Sequence, residues 1–144
     1  EFFLRMNVGF STGADGLVLY LVNGSGQRMQ VLWNGSASVL RFRVDLPTIV
    51  VLDDTLTAAE IDDRAYLYTL TYDNTDVSLY RDGVEIDSTT EAGGTLPLDN
   101  PDQLWIGQNN LGESVDGVLD EVAIYDTALS AERILAHYNA GIGA

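Results

Sequence analysis

The last quarter of the chain constrains the fold more than any other stretch. Residues 117–125 alternate between two faces in the manner of a β-strand. One of these faces carries Val118, Asp120, Val122 and Ile124. A short helix is predicted to follow, because Ser130 is a favourable N-cap and Glu132 lies in the first turn, where the helix dipole favours a carboxylate. Gly141 is predicted to end this helix.

The remainder of the chain has the pattern of short antiparallel strands. Apolar residues occupy alternate positions over residues 2–10, and further strand-length runs follow, with Asn-Gly and Asp-Gly turns between them. Residues 53–63 interrupt this rhythm with five carboxylates in eleven residues, and they fit either a helical turn or a loop. About ten strands with one short C-terminal helix predict an all-β, antiparallel two-sheet sandwich.

Size and charge bound the possible functions. A chain of 144 residues is enough for one domain with a single core, and the absence of cysteine excludes disulfides. The net charge of −15 opposes binding to nucleic acid or to an anionic membrane surface. No apolar run approaches the roughly 20 residues that a membrane-spanning helix needs. We therefore expect neither nucleic-acid nor membrane partners.

Several motifs resemble one family. The run LDEVAIYD, followed by TALSAERI and YNAG, resembles the C-terminal signature of laminin-G-like domains, which are concanavalin A-like jelly rolls. The segments YTLTYDNTDVSLYRDGVEI and LWIGQN resemble the central hairpin of that family and the strand before its final loop. These motifs cover residues 66–141. The resemblance implies a single laminin-G-like jelly roll over residues 1–144, related to the pentraxin-like superfamily.

The candidate catalytic groups do not form a convincing set. Glu85, Asp87 and Glu91 invite comparison with laminarinase-type glycosidases of the same fold, but their spacing does not match a carboxylate pair on one strand. His137 lies on the predicted helix without a serine or cysteine nucleophile motif around it. We therefore expect a protein without enzymatic activity.

Asp120 is the most informative acidic residue. If its face of the strand points into the core, its charge must be compensated by backbone donors, an arginine or a cation. Calcium is the ion that the family resemblance implies, and it prefers several oxygen ligands. Asp53 and Asp54, together with Asp62 and Asp63, are further candidate calcium ligands, with a solvated acidic loop as the alternative.

The candidate ligand-binding residues are amides and aromatics. Gln108, Asn109 and Asn110 follow the LWIG strand, at the position where related pentraxin-like members carry acidic residues. Trp33, together with Trp105 and the seven tyrosines, is a candidate for a sugar-stacking surface or a protein interface. The alternative is that these aromatic side chains pack within the strands of the sandwich.

The resemblance implies an extracellular binding or adhesion module that recognises carbohydrate or protein. The alternative is a structural assembly or decoration domain of a virion or surface filament. Family members usually begin with an additional strand beside the C-terminal one, and no residues precede Glu1 to supply it. We therefore expect an open edge next to the 117–125 strand, as a contact for a partner or for a missing segment of a longer protein.

Overall fold

A computed structural model describes residues 1–6, 15–61, 64–91, 93–94, 101–108 and 114–142 of the chain. The elements of these residues, in chain order, are β1 (Phe2–Met6), β2 (Gly16–Asn23), β3 (Arg28–Asn34), β4 (Val39–Asp45), β5 (Ile49–Thr55), α1 (Ala58–Ile61), β6 (Tyr66–Tyr72), β7 (Asp76–Arg81), β8 (Val84–Thr90), β9 (Pro101–Ile106), β10 (Gly117–Asp120) and α2 (Ala131–Ile142).

The strands form two antiparallel sheets. Sheet A has the order β10-β1-β6-β7-β8, and sheet B has the order β5-β4-β3-β2-β9. The predicted all-β sandwich with a short C-terminal helix is confirmed. Neighbouring strands in each sheet are often distant in the chain, as in the pairings of β1 with β10 and of β2 with β9.

The core lies between the two sheets. Alternation along each strand sends every second side chain inward, so that the core-facing residues of β4 are Leu40, Phe42 and Val44. The rings of Phe2 and Tyr68 from sheet A pack on Phe42 from sheet B, with centroid separations of 6.2 and 5.5 Å. These ring contacts join the inner faces of the two sheets near the centre of the molecule.

Helix α2 covers the outer face of sheet A. Ser130 caps it as predicted: its hydroxyl oxygen accepts the Arg133 amide hydrogen at 3.3 Å, and its carbonyl accepts that of Ile134 at 3.0 Å. The prediction for Gly141 is wrong, because the helix continues to Ile142. A Cβ atom at Gly141 would overlap the ring of Phe3, so this glycine is needed for the close approach of the helix to β1.

The C-terminal strand is shorter than predicted, and Leu119 rather than Asp120 lies on its core-facing side. It ends at Asp120, because Glu121 adopts a positive φ of 54° that breaks the extended conformation. Leu119 packs against the core, whereas Val118 is 50% exposed and Asp120 is also exposed. The condition for a buried charge at Asp120 is therefore not met, since Asp120 is exposed to solvent.

The acidic stretch of residues 53–63 is neither wholly helix nor wholly loop. Strand β5 extends through Thr55, and α1 begins after Thr57. The Thr57 amide and hydroxyl both donate to the Glu60 carboxylate, at 2.9 and 2.7 Å, and these bonds lower the pKa of Glu60. Asp62 and Asp63 lie outside the described residues.

The edge beside the C-terminal strand is partly filled. Strand β1 pairs with one side of β10, from Phe3↔Asp120 to Met6↔Gly117, and β10 is the outermost strand of sheet A among the described residues, so the expected open edge is absent on the side of β1 and remains on the other side. Helices of the described part of the chain are all too short or too polar to span a membrane.

Candidate functional site

The outer face of sheet B is the broad sheet face that helix α2 leaves uncovered. On sheet A, α2 packs against Phe3 through Gly141 and against the Gly83 turn through Leu135. On sheet B, the outward side chains Tyr20, Gln30 and Arg41 of the central strands β2, β3 and β4 are half-buried or exposed, whereas Leu17, at one end of the same face, is fully buried. This face is therefore accessible to a ligand.

A continuous row of side chains crosses this face. Strand register places five residues side by side, one from each strand: Val51, Arg43, Gln30, Tyr20 and Trp105. Directly opposed residues of neighbouring strands have Cβ atoms about 4.5–5.5 Å apart. The row therefore joins two aromatic rings, an amide and a guanidinium into one surface.

A second row adds charge and further hydrogen-bonding groups. Asp45 accepts a hydrogen bond from Arg43 Nε at 2.7 Å and another from Arg28 Nε at 3.3 Å, which fixes both guanidinium groups in place. Trp105 Nε1 donates to Gln103 Oε1 at 3.1 Å, and this bond orients the indole. The side chains are therefore held in position before any ligand arrives.

The charge of this face differs from that of the whole protein. Arg28, Arg41 and Arg43 lie on it against Asp45 and Asp53, while the chain as a whole has a net charge of −15. It is thus a locally balanced or slightly positive region of a strongly acidic protein. A neutral polar ligand or an anionic one meets less repulsion here than elsewhere on the surface.

Asp54 is an interior structural residue. It is 7% exposed, and its carboxylate accepts a hydrogen bond from Tyr68 Oη at 2.8 Å. The same carboxylate forms an ion pair with Arg81 at 3.1 Å. Arg81 also reaches Glu60 at 3.3 Å. Burial and the neighbouring Asp54 carboxylate raise the pKa of Tyr68 far above its ordinary value. Both Asp54 oxygens are therefore engaged within the protein.

The other predicted calcium ligands are also dispersed. Asp53 lies on the opposite face of β5, where Arg41 holds it by two hydrogen bonds of 2.9 and 2.8 Å. Asp120 accepts the amide hydrogen of Glu121 at 2.9 Å on the exposed edge of sheet A. Within the described part of the chain, no three acidic or histidine side chains gather into a possible metal site. Asp53, Asp54 and Asp120 therefore do not share one site in this part of the chain, and calcium binding stays a prediction.

The predicted binding residues separate into three cases. Trp33 is fully buried in the core, so the structure places it among packing residues and away from any surface platform. Gln108 is exposed and forms an isolated bridge with Ser114. Asn109 and Asn110 lie outside the described residues.

Sequence reasoning missed most of the outer row of sheet B. A signal was present, because Met29, Val31 and Trp33 alternate with Arg28, Gln30 and Leu32 along β3. Applied strictly, this alternation assigns Trp33 to the core and Gln30 to the surface. Only the register across strands, however, reveals that Gln30 lies between Arg43 and Tyr20.

The acidic residues compared with glycosidase carboxylates are also separated in the structure. Glu85 lies opposite Tyr80, and Asp87 accepts the amide hydrogen of Asp53 at 3.3 Å. Glu91 accepts the hydroxyl hydrogen of Thr48 at 2.7 Å. These carboxylates therefore serve local contacts of β5 and β8 rather than facing a common centre.

A cavity of about 620 Å³ lies between the sheets at the end where β6 stops. Its floor is apolar, with Val31, Phe42 and Val44 among its residues, and its rim includes Asp73 and Asp126. It opens on the side of the molecule formed by the end of β6 and by residues 123–129, so it is separate from the outer face of sheet B.

Comparison with known structures gives matches to binding domains. A carbohydrate-binding module, CBM40, of the Ruminococcus gnavus IT-sialidase, bound to α2,3-sialyllactose, is 16% identical with a TM-score of 0.67, covering 95% of this chain and 79% of that one. The receptor-binding domain of botulinum neurotoxin D is 12% identical with a TM-score of 0.75, covering 98% of this chain. Domains LG4-5 of the mouse laminin α1 chain are 17% identical with a TM-score of 0.63, covering 92% of this chain.

These likenesses concern the fold, since the identities are low. This chain spans 36% of the neurotoxin and laminin structures, which are longer. No curated protein sequence matches the chain. The family model of the concanavalin A-like lectin/glucanases superfamily matches residues 3–135, nearly the whole chain. The protein therefore belongs to the laminin-G branch of the concanavalin A-like lectin/glucanase superfamily.

Proposed function

We propose that this protein is a non-catalytic module that binds carbohydrate through the outer face of sheet B. The observation that carries the proposal is the cross-strand row of Trp105, Tyr20, Gln30 and Arg43 on an accessible sheet face. A sugar ring has an apolar C–H face that packs on aromatic rings, and hydroxyl groups that need hydrogen-bonding partners. This row supplies both kinds of group side by side.

The fixed arginines support the same proposal. Asp45 holds Arg28 and Arg43 in defined positions, so less conformational entropy is lost when a ligand binds. Their remaining N–H groups can donate to sugar hydroxyls or to an acidic substituent. The sialyllactose-bound CBM40 module is a relative in fold, and its ligand is compatible with this chemistry.

We propose further that the module acts outside the cell or on the surface of a larger assembly, where glycans are displayed. The similar structures named above are binding domains of a sialidase, a toxin and laminin, and they include no virion or filament component. The assembly hypothesis therefore has no observation in its favour.

A glycan array probed with and without calcium tests the proposal. We expect binding to a defined set of oligosaccharides, and we expect Trp105→Ala to abolish it. The matched control is Val84→Ala, which truncates an exposed side chain on sheet A. If the wild-type protein bound no glycan on the array, either with or without calcium, the proposed carbohydrate function would be disproved.

A further inference from the structure

Three arginines lie on the outer face of sheet B, and their ion pairs place them in two different states. Arg41 donates to both oxygens of Asp53, from Nε at 2.9 Å and from Nη2 at 2.8 Å, so one carboxylate matches its charge. Arg28 and Arg43 instead share the single carboxylate of Asp45, at 3.3 and 2.7 Å. The Asp45 cluster, made of Arg28, Arg43 and Asp45, therefore carries one unmatched positive charge.

The unmatched charge of the Asp45 cluster faces solvent. The side chains of Arg28 and Arg43 are 36% and 28% exposed, whereas that of Asp45 is 13% exposed. Both arginines reach Asp45 through Nε, and the hydrogen bonds found within the described residues leave their Nη groups for a ligand. Two neighbouring guanidinium groups suit an anion, whose oxygens accept charge-assisted hydrogen bonds. The cluster thus has the chemistry of a subsite for one acidic group.

This subsite lies apart from the aromatic end of the face. The hydrogen bonds to Asp45 draw Arg28 and Arg43 towards β4, whereas Tyr20 lies on β2. Strands β2 and β4 flank β3, so their backbones are about 10 Å apart, at roughly 4.8 Å for each strand spacing. A sugar ring stacked on Tyr20 therefore needs a neighbouring unit to place an acidic group on the cluster. A ligand that engages both is at least a disaccharide.

The charge of the whole protein limits how acidic that ligand can be. The net charge is −15, and an exposed charge acts over about 10 Å at 0.1 M salt. One acidic group on the Asp45 cluster meets the unmatched positive charge. Further acidic groups along the ligand would meet Arg41, whose charge is already matched, and the repulsion of the acidic protein. The face therefore favours a sparsely charged ligand over a polyanion.

We propose that the outer face of sheet B selects oligosaccharides that carry one acidic group, held by Arg28 and Arg43, beside a neutral unit that stacks on Tyr20 and Trp105. This inference rests on the proposed carbohydrate function and adds the substrate class to it. The acidic group is a carboxylate or a sulfate ester, since both present anionic oxygens to the guanidinium groups. Arg28 and Arg43 determine the specificity for the acid, whereas Arg41 takes no part in it.

Sets of glycans that share one backbone test this selectivity. On each backbone that a glycan array selects, a set contains the neutral oligosaccharide, the same one with a single uronate, the same one with a single sulfate ester, and the same one with an acid on every unit. Isothermal titration calorimetry measures the affinities of the wild-type protein, Arg43→Gln and Arg41→Gln. Arg41→Gln is the matched control, because it removes the same side chain from the same face of β4 where Asp53 already matches the charge.

We expect the wild-type protein to bind a singly acidic member at least about tenfold more tightly than the neutral member, which is the effect of one charge-assisted contact. The fully acidic member should bind more weakly than the singly acidic one. Arg43→Gln should lower the ratio of acidic to neutral affinity by about tenfold, and Arg41→Gln should change it by less than about threefold. Both variants should keep the Tm within about 3 °C of the wild-type value, since their ion pairs are partly exposed.

Four results would overturn the inference, and they separate it from the proposed function. If the protein bound neutral and singly acidic members equally, the selectivity would be wrong, while the carbohydrate function would stand. Equal losses of selectivity in Arg43→Gln and Arg41→Gln would disprove the assignment to the Asp45 cluster. Tightest binding of the fully acidic member would identify a site for polyanions instead. If no member bound, the carbohydrate function and this inference would both be disproved.

Discussion

Tyr68 of sheet A donates its hydroxyl hydrogen to Asp54 of sheet B at 2.8 Å, across the interior of the sandwich. The Arg81 guanidinium, also from sheet A, approaches the same carboxylate at 3.1 Å. The two sheets are therefore joined by a polar cluster as well as by apolar packing. This cluster explains why an aspartate occupies an inward position of β5.

We expect Asp54→Ala to lower the free energy of unfolding by about 2–4 kcal/mol, because it leaves the buried Tyr68 hydroxyl without its acceptor and the partly buried Arg81 with Glu60 alone. Asp53→Ala is the matched control on the neighbouring, outward position. It breaks only an exposed pair with Arg41 and should cost at most about 1 kcal/mol. Urea unfolding measures both, and equal losses would contradict the structural role of Asp54.

We expect the stability of the wild-type protein to fall as the pH rises above about 10. Burial and Asp54 raise the folded-state pKa of Tyr68, so the unfolded chain loses this phenolic proton at a lower pH than the folded protein does. The stabilisation is complete below the unfolded-state pKa and is lost as the pH rises through the window above it. Urea unfolding at pH 9–11 measures this loss, which Tyr68→Phe should reduce.

We expect Gly141→Ala to destabilise the protein, although alanine favours helices by about 1 kcal/mol over glycine. The added Cβ would overlap the Phe3 ring, so helix α2 must move or the ring must turn, at a net cost of about 1–3 kcal/mol. Thermal unfolding measures whether Gly141→Ala lowers or raises the Tm. Combining it with Phe3→Leu should recover part of the loss, and a stabilised single variant would disprove the close contact.

We expect Trp105→Ala to weaken glycan binding by more than about tenfold, because an aromatic side chain that stacks on a bound ligand contributes about 2 kcal/mol or more. Trp105 lies on the edge strand β9 and is only half-buried, so the Tm should change little. Isothermal titration calorimetry with an array-selected glycan measures the affinity. An unchanged affinity in a folded variant would exclude this face as the binding site.

Calcium titration followed by thermal shift tests the prediction of calcium binding. A cation that binds only the folded state must raise the Tm. We expect any such rise to persist in Asp53→Asn, since Arg41 already occupies the carboxylate of Asp53 with two hydrogen bonds. Loss of the rise in this variant would show that Asp53 is a ligand after all.

Much of the architecture was predictable from local patterns. Alternation identified most strands, Asn-Gly and Asp-Gly marked turns, and Ser130 marked the start of α2, because these signals depend on neighbours within a few residues. The sandwich followed from many short strands with one helix. The motifs LDEVAIYD and YNAG indicated the family, and the family model confirms it.

The sequence predicted less well which side of a strand is buried. The alternation around Asp120 left the inward side of the strand open, since either face of a pattern containing valine and leucine can be buried, and the structure places Asp120 on the exposed side. Gly141 was likewise predicted to end the helix, whereas it lies inside the helix and packs closely against Phe3, which is far away in the chain. Neither outcome can be derived from neighbouring residues.

The sequence by itself determined which residues form strands, where α2 begins and which superfamily the chain resembles. Only the tertiary structure decided that Asp54 bonds to Tyr68, and that Trp105, Tyr20, Gln30 and Arg43 form one row. The physical reason is the separation along the chain of the residues that interact. Backbone preference acts over a few residues, whereas sheet register and the packing of one sheet on the other join residues that are far apart in the chain.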